Sequence, residues 1–151
     1  MNSVLIVDDN VHLITLLGKM LEPVAQISFA TSGLAALAQM RAHPPDLLLL
    51  DAEMPGMGGH EVCRAMKADP ELDKIPVIFV TAHDDVEAEV RGFDAGAVDF
   101  ISKPVNEAIL LARVGTQLRL KCLADKLRRS ALVDGLTGLA NRACFDERLK
   151  L

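Results

Sequence analysis

Apolar residues fall along this chain in short blocks of two kinds. Ser3-Val4-Leu5-Ile6-Val7, Ala25 to Ala30, Asp46 to Asp51, Pro76-Val77-Ile78-Phe79-Val80-Thr81 and Val98 to Ser102 are compact apolar runs, which read as strands. Between them, apolar residues recur three or four apart, as in Val11, Ile14, Leu17 and Leu21 or in Leu34, Leu37, Ala38 and Met40, and these stretches read as helices. Gly59 to Ala68 and Asp84 to Ala95 complete the series of crossovers. Asn10 and Thr31-Ser32-Gly33 are start signals, while Pro23, His43-Pro44-Pro45 and Asp69-Pro70 are stops. Five strands alternating with helices predict an α/β fold with a doubly wound parallel sheet and right-handed crossovers.

The third run is unbroken from Leu47 to Leu50, ends in the carboxylate of Asp51, and is followed at once by Met54-Pro55-Gly56-Met57-Gly58-Gly59. It predicts a fully buried strand that delivers Asp51 to a rim, where open α/β sheets bind their ligands. An Asp before a turn can also simply cap a strand. The other strand ends change the balance: Asp8 and Asp9 follow the first, Thr81 ends the fourth and Lys103 follows the fifth. Each of these has a bland reading as a helix cap, a β-favouring hydroxyl or a solvated tip. All of them at strand ends on one rim is a different matter. Three adjoining carboxylates repel unless a cation sits among them, and oxygen donors of this kind suit Mg²⁺. A lysine and a hydroxyl beside such a carboxylate are what a tetrahedral oxyanion needs, with Asp51 as the nucleophile that forms an acyl phosphate.

With these residues in place, 1–121 resembles the receiver domain of bacterial response regulators. The motifs are Asp8-Asp9, Asp51 with the Met54 to Gly59 loop, Thr81-Ala82 and Lys103-Pro104. The resemblance implies a flavodoxin-like sheet of order 2-1-3-4-5 and a cis Lys103-Pro104 bond. It implies phosphorylation of Asp51 by a histidine kinase or phosphotransfer protein, and Mg²⁺ held by Asp8, Asp9, Asp51 and the backbone carbonyl of Glu53. Thr81 and Lys103 are then expected to contact the phosphoryl oxygens. Thr81 and Phe100 form the expected switch, the aromatic turning inward as the hydroxyl moves. Glu53 and His83, two positions past Asp51 and Thr81, are expected to flank the attacking water and tune the lifetime of the phosphorylated state.

Composition bounds the rest. At 151 residues there is room for one buried domain and a short appendage, and with neither Trp nor Tyr its core must be aliphatic. No apolar run approaches the roughly 18 residues that cross a bilayer, so a cytoplasmic protein without membrane contact is expected. The net charge of −5 argues against nonspecific nucleic-acid binding by the whole chain. Cys63, Cys122 and Cys144 lack disulfide or zinc spacing and read as reduced thiols. His12, His43 and His60 have no partner at ligand spacing and read as surface or packing residues.

Val105 to Ser130 keeps a helical pattern far beyond what a terminal receiver helix needs. Leu111, Val114 and Leu118 make one stripe, and Leu120, Leu123 and Leu127 a second with heptad-like spacing. The second stripe reads as an amphipathic extension or as a two-chain coiled coil, and the flanking Lys121, Lys126, Arg128 and Arg129 favour the coil. Homodimerisation is expected through the fourth helix, fifth strand, fifth helix and its extension, with charges at Arg91, Asp94, Asp99 and Arg113. After a signalling helix or linker over 122–133, Asp134-Gly135-Leu136-Thr137-Gly138-Leu139-Ala140-Asn141-Arg142 resembles the opening of GGDEF-type diguanylate cyclase domains. The segment 134–151 ends before any GGDEF loop, so this stretch cannot make cyclic di-GMP. The resemblance implies that an intact protein is a cyclase using GTP, switched by phosphorylation of Asp51. Two other classes stay open: an unphosphorylated receiver-like interaction module, and a receiver with a nucleic-acid-binding output.

Overall fold

The computed structural model describes residues 2–82 and 85–132. Five strands, β1 (Ser3–Val7), β2 (Gln26–Ala30), β3 (Leu47–Asp51), β4 (Val77–Thr81) and β5 (Asp99–Ser102), form one parallel sheet of order β2-β1-β3-β4-β5. They alternate with helices α1 (Val11–Leu21), α2 (Gly33–Ala42), α3 (Gly59–Lys67), α4 (Val86–Ala95) and α5 (Glu107–Leu132). The expected fold class and strand order are both found.

The inner strands β1, β3 and β4 are buried on both faces, while the edge strand β2 is largely open, and period-two alternation divides the side chains between two cores. Leu5, Val7, Leu48, Leu50, Val77 and Phe79 pack under α2 and α3. Val4, Ile6, Leu47, Leu49, Ile78 and Val80 pack with Ile14 and Leu17 of α1 and Leu110, Val114 and Leu118 of α5. Of the two stripes read along the last helix, the first therefore faces the sheet. Leu120, Leu123 and Leu127 are 53%, 44% and 71% exposed, which leaves the second stripe outward.

Asn10 and Ser32 start their helices where expected, and other boundaries shift for identifiable reasons. The Asn10 carboxamide caps α1, accepting from the His12 and Leu13 N–H groups at 3.0 and 3.3 Å, and Ser32 Oγ caps α2 through the Ala35 N–H. Asp85 caps α4 by accepting from the Ala88 N–H at 2.8 Å, so the helix starts at Val86. Asp46 is not a strand residue but a clasp: its carboxylate accepts from the Ser3 N–H at 2.8 Å, and its own N–H donates to the Ser3 carbonyl at 2.9 Å. Cys63 is a buried free thiol as expected, whereas Cys122 is disulfide-bonded, contrary to the expectation of thiols throughout. Cys144, His83 and the segment 134–151 lie outside the described residues.

No helix among the described residues is long and apolar enough to cross a membrane.

Candidate phosphoacceptor site

Parallel strands all end on the same edge, and that edge collects the polar residues read from the sequence. Asp8 and Asp51 are 2% and 5% exposed, and Thr81 is 2% exposed; these are the buried polar side chains of the described residues. Asp9 is exposed at the mouth. One carboxylate oxygen from each of Asp8, Asp9 and Asp51 falls within a cluster whose members all lie within 4.8 Å of one another. Lys103 Nζ stands 3.3 Å from Asp8 Oδ2 and 3.6 Å from Asp51 Oδ1. It is placed there by a turn containing a cis Lys103-Pro104 bond, in which the Lys103 N–H donates to the Thr81 carbonyl at 2.9 Å.

The two buried carboxylates are each aimed by their own loop. Asp8 Oδ1 accepts from the Asn10 N–H at 2.9 Å, and Asp51 Oδ1 accepts from the Glu53 N–H at 3.1 Å. Asp8 Oδ2 is buried with no hydrogen bond, only the nearby ammonium of Lys103. Burial drives the Asp51 pKa up from 3.8 to about 6; the Glu53 N–H works against it, as does Lys103, while the negative charges of Asp8 and Asp9 add to it. Lys103→Met keeps the length of the side chain and removes the charge, so the Asp51 pKa is expected to rise further above 6. A carboxyl-carbon NMR titration reads this directly, and an unchanged midpoint would remove Lys103 from the local field.

Behind Thr81 lies a cavity of about 110 Å³, bounded by Glu53, His60, Thr81, Arg91 and Phe100. His60, read as a surface or packing residue, packs on Phe79 with ring centroids 5.0 Å apart, and its Nε2 is buried without a hydrogen bond. Burial, and then the charges of Arg91 and Arg64, hold the imidazole pKa below its usual value. Arg91, expected only on a dimer face, also lines this cavity. Asp99 and Arg113 lie 3.6 Å apart within the chain, and Arg113 donates to the Phe100 carbonyl. Phe100 itself is inward, 7% exposed. Gly59 is legible in the chain only as the end of the loop motif and the start of a helix, and Gly92 not at all; their backbones approach the Asp51 carbonyl and the Phe100 ring, and a glycine inside a helical pattern is the signal that could have found Gly92.

Residues 4–115 match the family model described as the response regulator receiver domain. Among curated proteins, the chain is 40% identical over 129 residues to the response regulator PleD of Caulobacter vibrioides. It is 42% identical over 125 residues to a Vibrio cholerae protein named probable cyclic di-GMP phosphodiesterase. Each alignment covers 83% of this chain, and the chain spans only 28% of the length of either relative. The DNA-binding response regulator MtrA of Mycobacterium tuberculosis is 38% identical over 120 residues, covering 77% of this chain and 50% of MtrA. Among solved structures, the signal receiver domain of a histidine kinase from Syntrophus aciditrophicus superposes with a TM-score of 0.73 at 34% identity, covering 79% of this chain and 91% of that one. The chemotaxis protein CheY4 of Vibrio cholerae gives 0.74 at 26%, covering 77% and 98%. With the sheet order, the rim and the matched span in agreement, the chain belongs to the response regulator receiver domains of two-component signalling.

Proposed function

We propose that Asp51 is the phosphoacceptor of this receiver and that its phosphorylation controls a cyclic di-GMP output. The observation that carries the reading is the buried Asp51 carboxylate at the end of the central strand, with Asp8, Asp9 and Lys103 gathered around it. In the reaction, an Asp51 carboxylate oxygen bonds to phosphorus as the bond from phosphorus to the donor's leaving atom breaks, the electron pair going with the leaving group. The donor is a histidine kinase or a phosphotransfer protein. Lys103 and Thr81 then meet the phosphoryl oxygens with a charge and a hydroxyl.

The donor set fits Mg²⁺. A buried oxygen of Asp8 with no hydrogen bond and two further carboxylates close by are hard oxygen ligands in need of a cation. Asp8, Asp9, Asp51 and the Glu53 carbonyl would hold it. Once bound, it supplies positive charge against the phosphoryl oxygens.

The output reading rests on the sequence signature over 134–142 and on the names of PleD and the phosphodiesterase relative. Phosphorylation shifts a homodimer equilibrium through α4, β5, α5 and the outward leucines, and the linker over 122–133 carries it to a GGDEF domain that begins near Asp134. The similarity to MtrA favours one alternative, a DNA-binding output, and the chain's net charge of −5 weighs against it for this region.

Incubation with Mg²⁺ and acetyl phosphate is expected to add the mass of one phosphoryl group to the wild type and none to Asp51→Asn. A wild type of unchanged mass would leave only the interaction-module reading. In the same assay, substituting Glu53 and His83 together is expected to change the rate at which the adduct decays, and size-exclusion chromatography before and after the reaction reads the dimer.

A further inference from the structure

Phe100 sits where three elements meet. Its ring is tilted against Phe79 of β4, with centroids 5.6 Å apart, and meets Phe93 of α4 edge-on at 4.9 Å. The same ring closes one side of the cavity behind Thr81. Helix α4 crosses this cluster at Gly92, which is buried and lies inside the helix rather than at its end. A Cβ at Gly92 would stand 2.2 Å from Phe100 Cζ, 2.9 Å from Phe100 Cε1 and 3.1 Å from Phe79 Cδ2. Carbon atoms in contact sit about 3.5–4.0 Å apart, so a methyl group does not fit.

Glycine is a poor helix former, and its use in a helix interior marks a place where another group must come close to the backbone. The two rings have little room to retreat. Phe79 is fully buried on β4, and the backbone of Phe100 is tied to α5 through Arg113, which donates to its carbonyl and lies beside Asp99. Phe93, the next residue in α4, is 49% exposed, so one edge of the cluster belongs to the molecular surface.

We propose that Gly92 is a positioning residue: the gap it leaves in α4 is the seat that holds the Phe100 ring inward beside Thr81. Inward placement of the ring and the close approach of α4 to β5 are then one condition. A helix displaced away from β5 opens the seat, and a ring forced outward leaves α4 without its contact. The regulatory meaning rests on the reading of Asp51, Thr81 and Phe100 as a phosphorylation switch, whereas the seat itself does not.

The test uses the full chain with fluorine-labelled phenylalanine, its five phenylalanines being assigned by single Phe→Leu changes. In Gly92→Ala the Phe100 resonance is expected to move toward that of the exposed Phe29, and to stay there after Mg²⁺ and beryllofluoride are added. Tm is expected to fall, although alanine is the better helix former. In the Phe100→Leu background the same change is expected to leave Tm equal or higher. The proposal is overturned by a Phe100 resonance that does not move, or by a fall in Tm of equal size in both backgrounds. Should Gly92→Ala alone not fold, Phe100→Leu and Gly92→Ala/Phe100→Leu carry the comparison, and the double variant must then fold. Intact mass after acetyl phosphate treatment of the wild type reports Asp51 separately; no adduct would defeat the phosphoacceptor reading while the ring position still judges the seat.

Discussion

Asp51→Asn is expected to stabilise the metal-free domain at pH 7.5 by about 2–3 kcal/mol, read as a higher denaturation midpoint in urea at unchanged slope. The Asp51 carboxyl titrates near 3.8 in the unfolded chain and at about 6 in the folded one. Between those values the folded state holds a proton that the unfolded state has released. Stability from this group is therefore full below about pH 4, declines as pH rises through 6, and is missing above it. Asparagine cannot ionise, so its advantage over the wild type should be absent near pH 4 and complete above about pH 7. The attraction of Lys103 already lowers the folded-state pKa, so its loss in the variant is contained in this figure. Saturating Mg²⁺ should close the gap by supplying the charge that the buried carboxylates lack. A wild type and variant that keep a constant difference from pH 4 to 8 would show that ionisation of Asp51 costs the fold nothing.

Gly59→Ala is expected to act in the opposite direction and more strongly, destabilising the domain by about 3 kcal/mol or more. Gly59 begins α3, and its N–H donates to the Ala52 carbonyl at 3.1 Å, which seats the helix directly against the end of β3. A Cβ there would lie 2.3 Å from the Asp51 carbonyl oxygen, 2.9 Å from Ala52 Cα and 3.0 Å from Phe79 Cε1. Two of those three neighbours are backbone, and the third is a fully buried ring on a central strand, so the clash has no flexible side chain to absorb it. Relief must come from moving α3 or the residues after Asp51, and either one disturbs the placement of the Asp51 carboxylate. Urea unfolding measures the loss. A stability within about 0.5 kcal/mol of wild type would mean that the loop after β3 yields freely, as a surface site does.

The elements could be read from the chain because the strands are so apolar. Leu47 to Leu50 can only be a doubly buried strand, and once it is placed, the alternation of strands and helices leaves a parallel sheet. Asp8, Asp9, Asp51, Thr81 and Lys103 were legible as a set because parallel strands bring their carboxyl ends to one edge, whatever the detailed packing. What escaped notice depends on distances between elements. Gly92 reads in sequence as an unfavourable helix residue, and its purpose is visible only when the Phe100 ring is beneath it. His60 reads as a surface or packing residue and does pack, but that its partner is Phe79 shows only in the fold. The clasp made by Asp46 is invisible in the chain because its hydrogen bonds go to Ser3, forty-three residues away, a separation at which sequence pattern carries no information.

Leu118 is the last residue of α5 in the core, yet the helix continues to Leu132. At 1.5 Å per residue that continuation is about 20 Å long, so a tilt of ten degrees at its root moves its tip by roughly 4 Å. Its azimuth matters as much as its tilt. Each residue turns the helix by about 100°, and the face offered by Leu120, Leu123 and Leu127 has a set bearing relative to Asp51. One residue inserted after Leu118 would swing that face through about a quarter turn while leaving every contact of the sheet intact. The length and bearing of this pointer are thus set by the residue count after Leu118, independently of the chemistry on the rim.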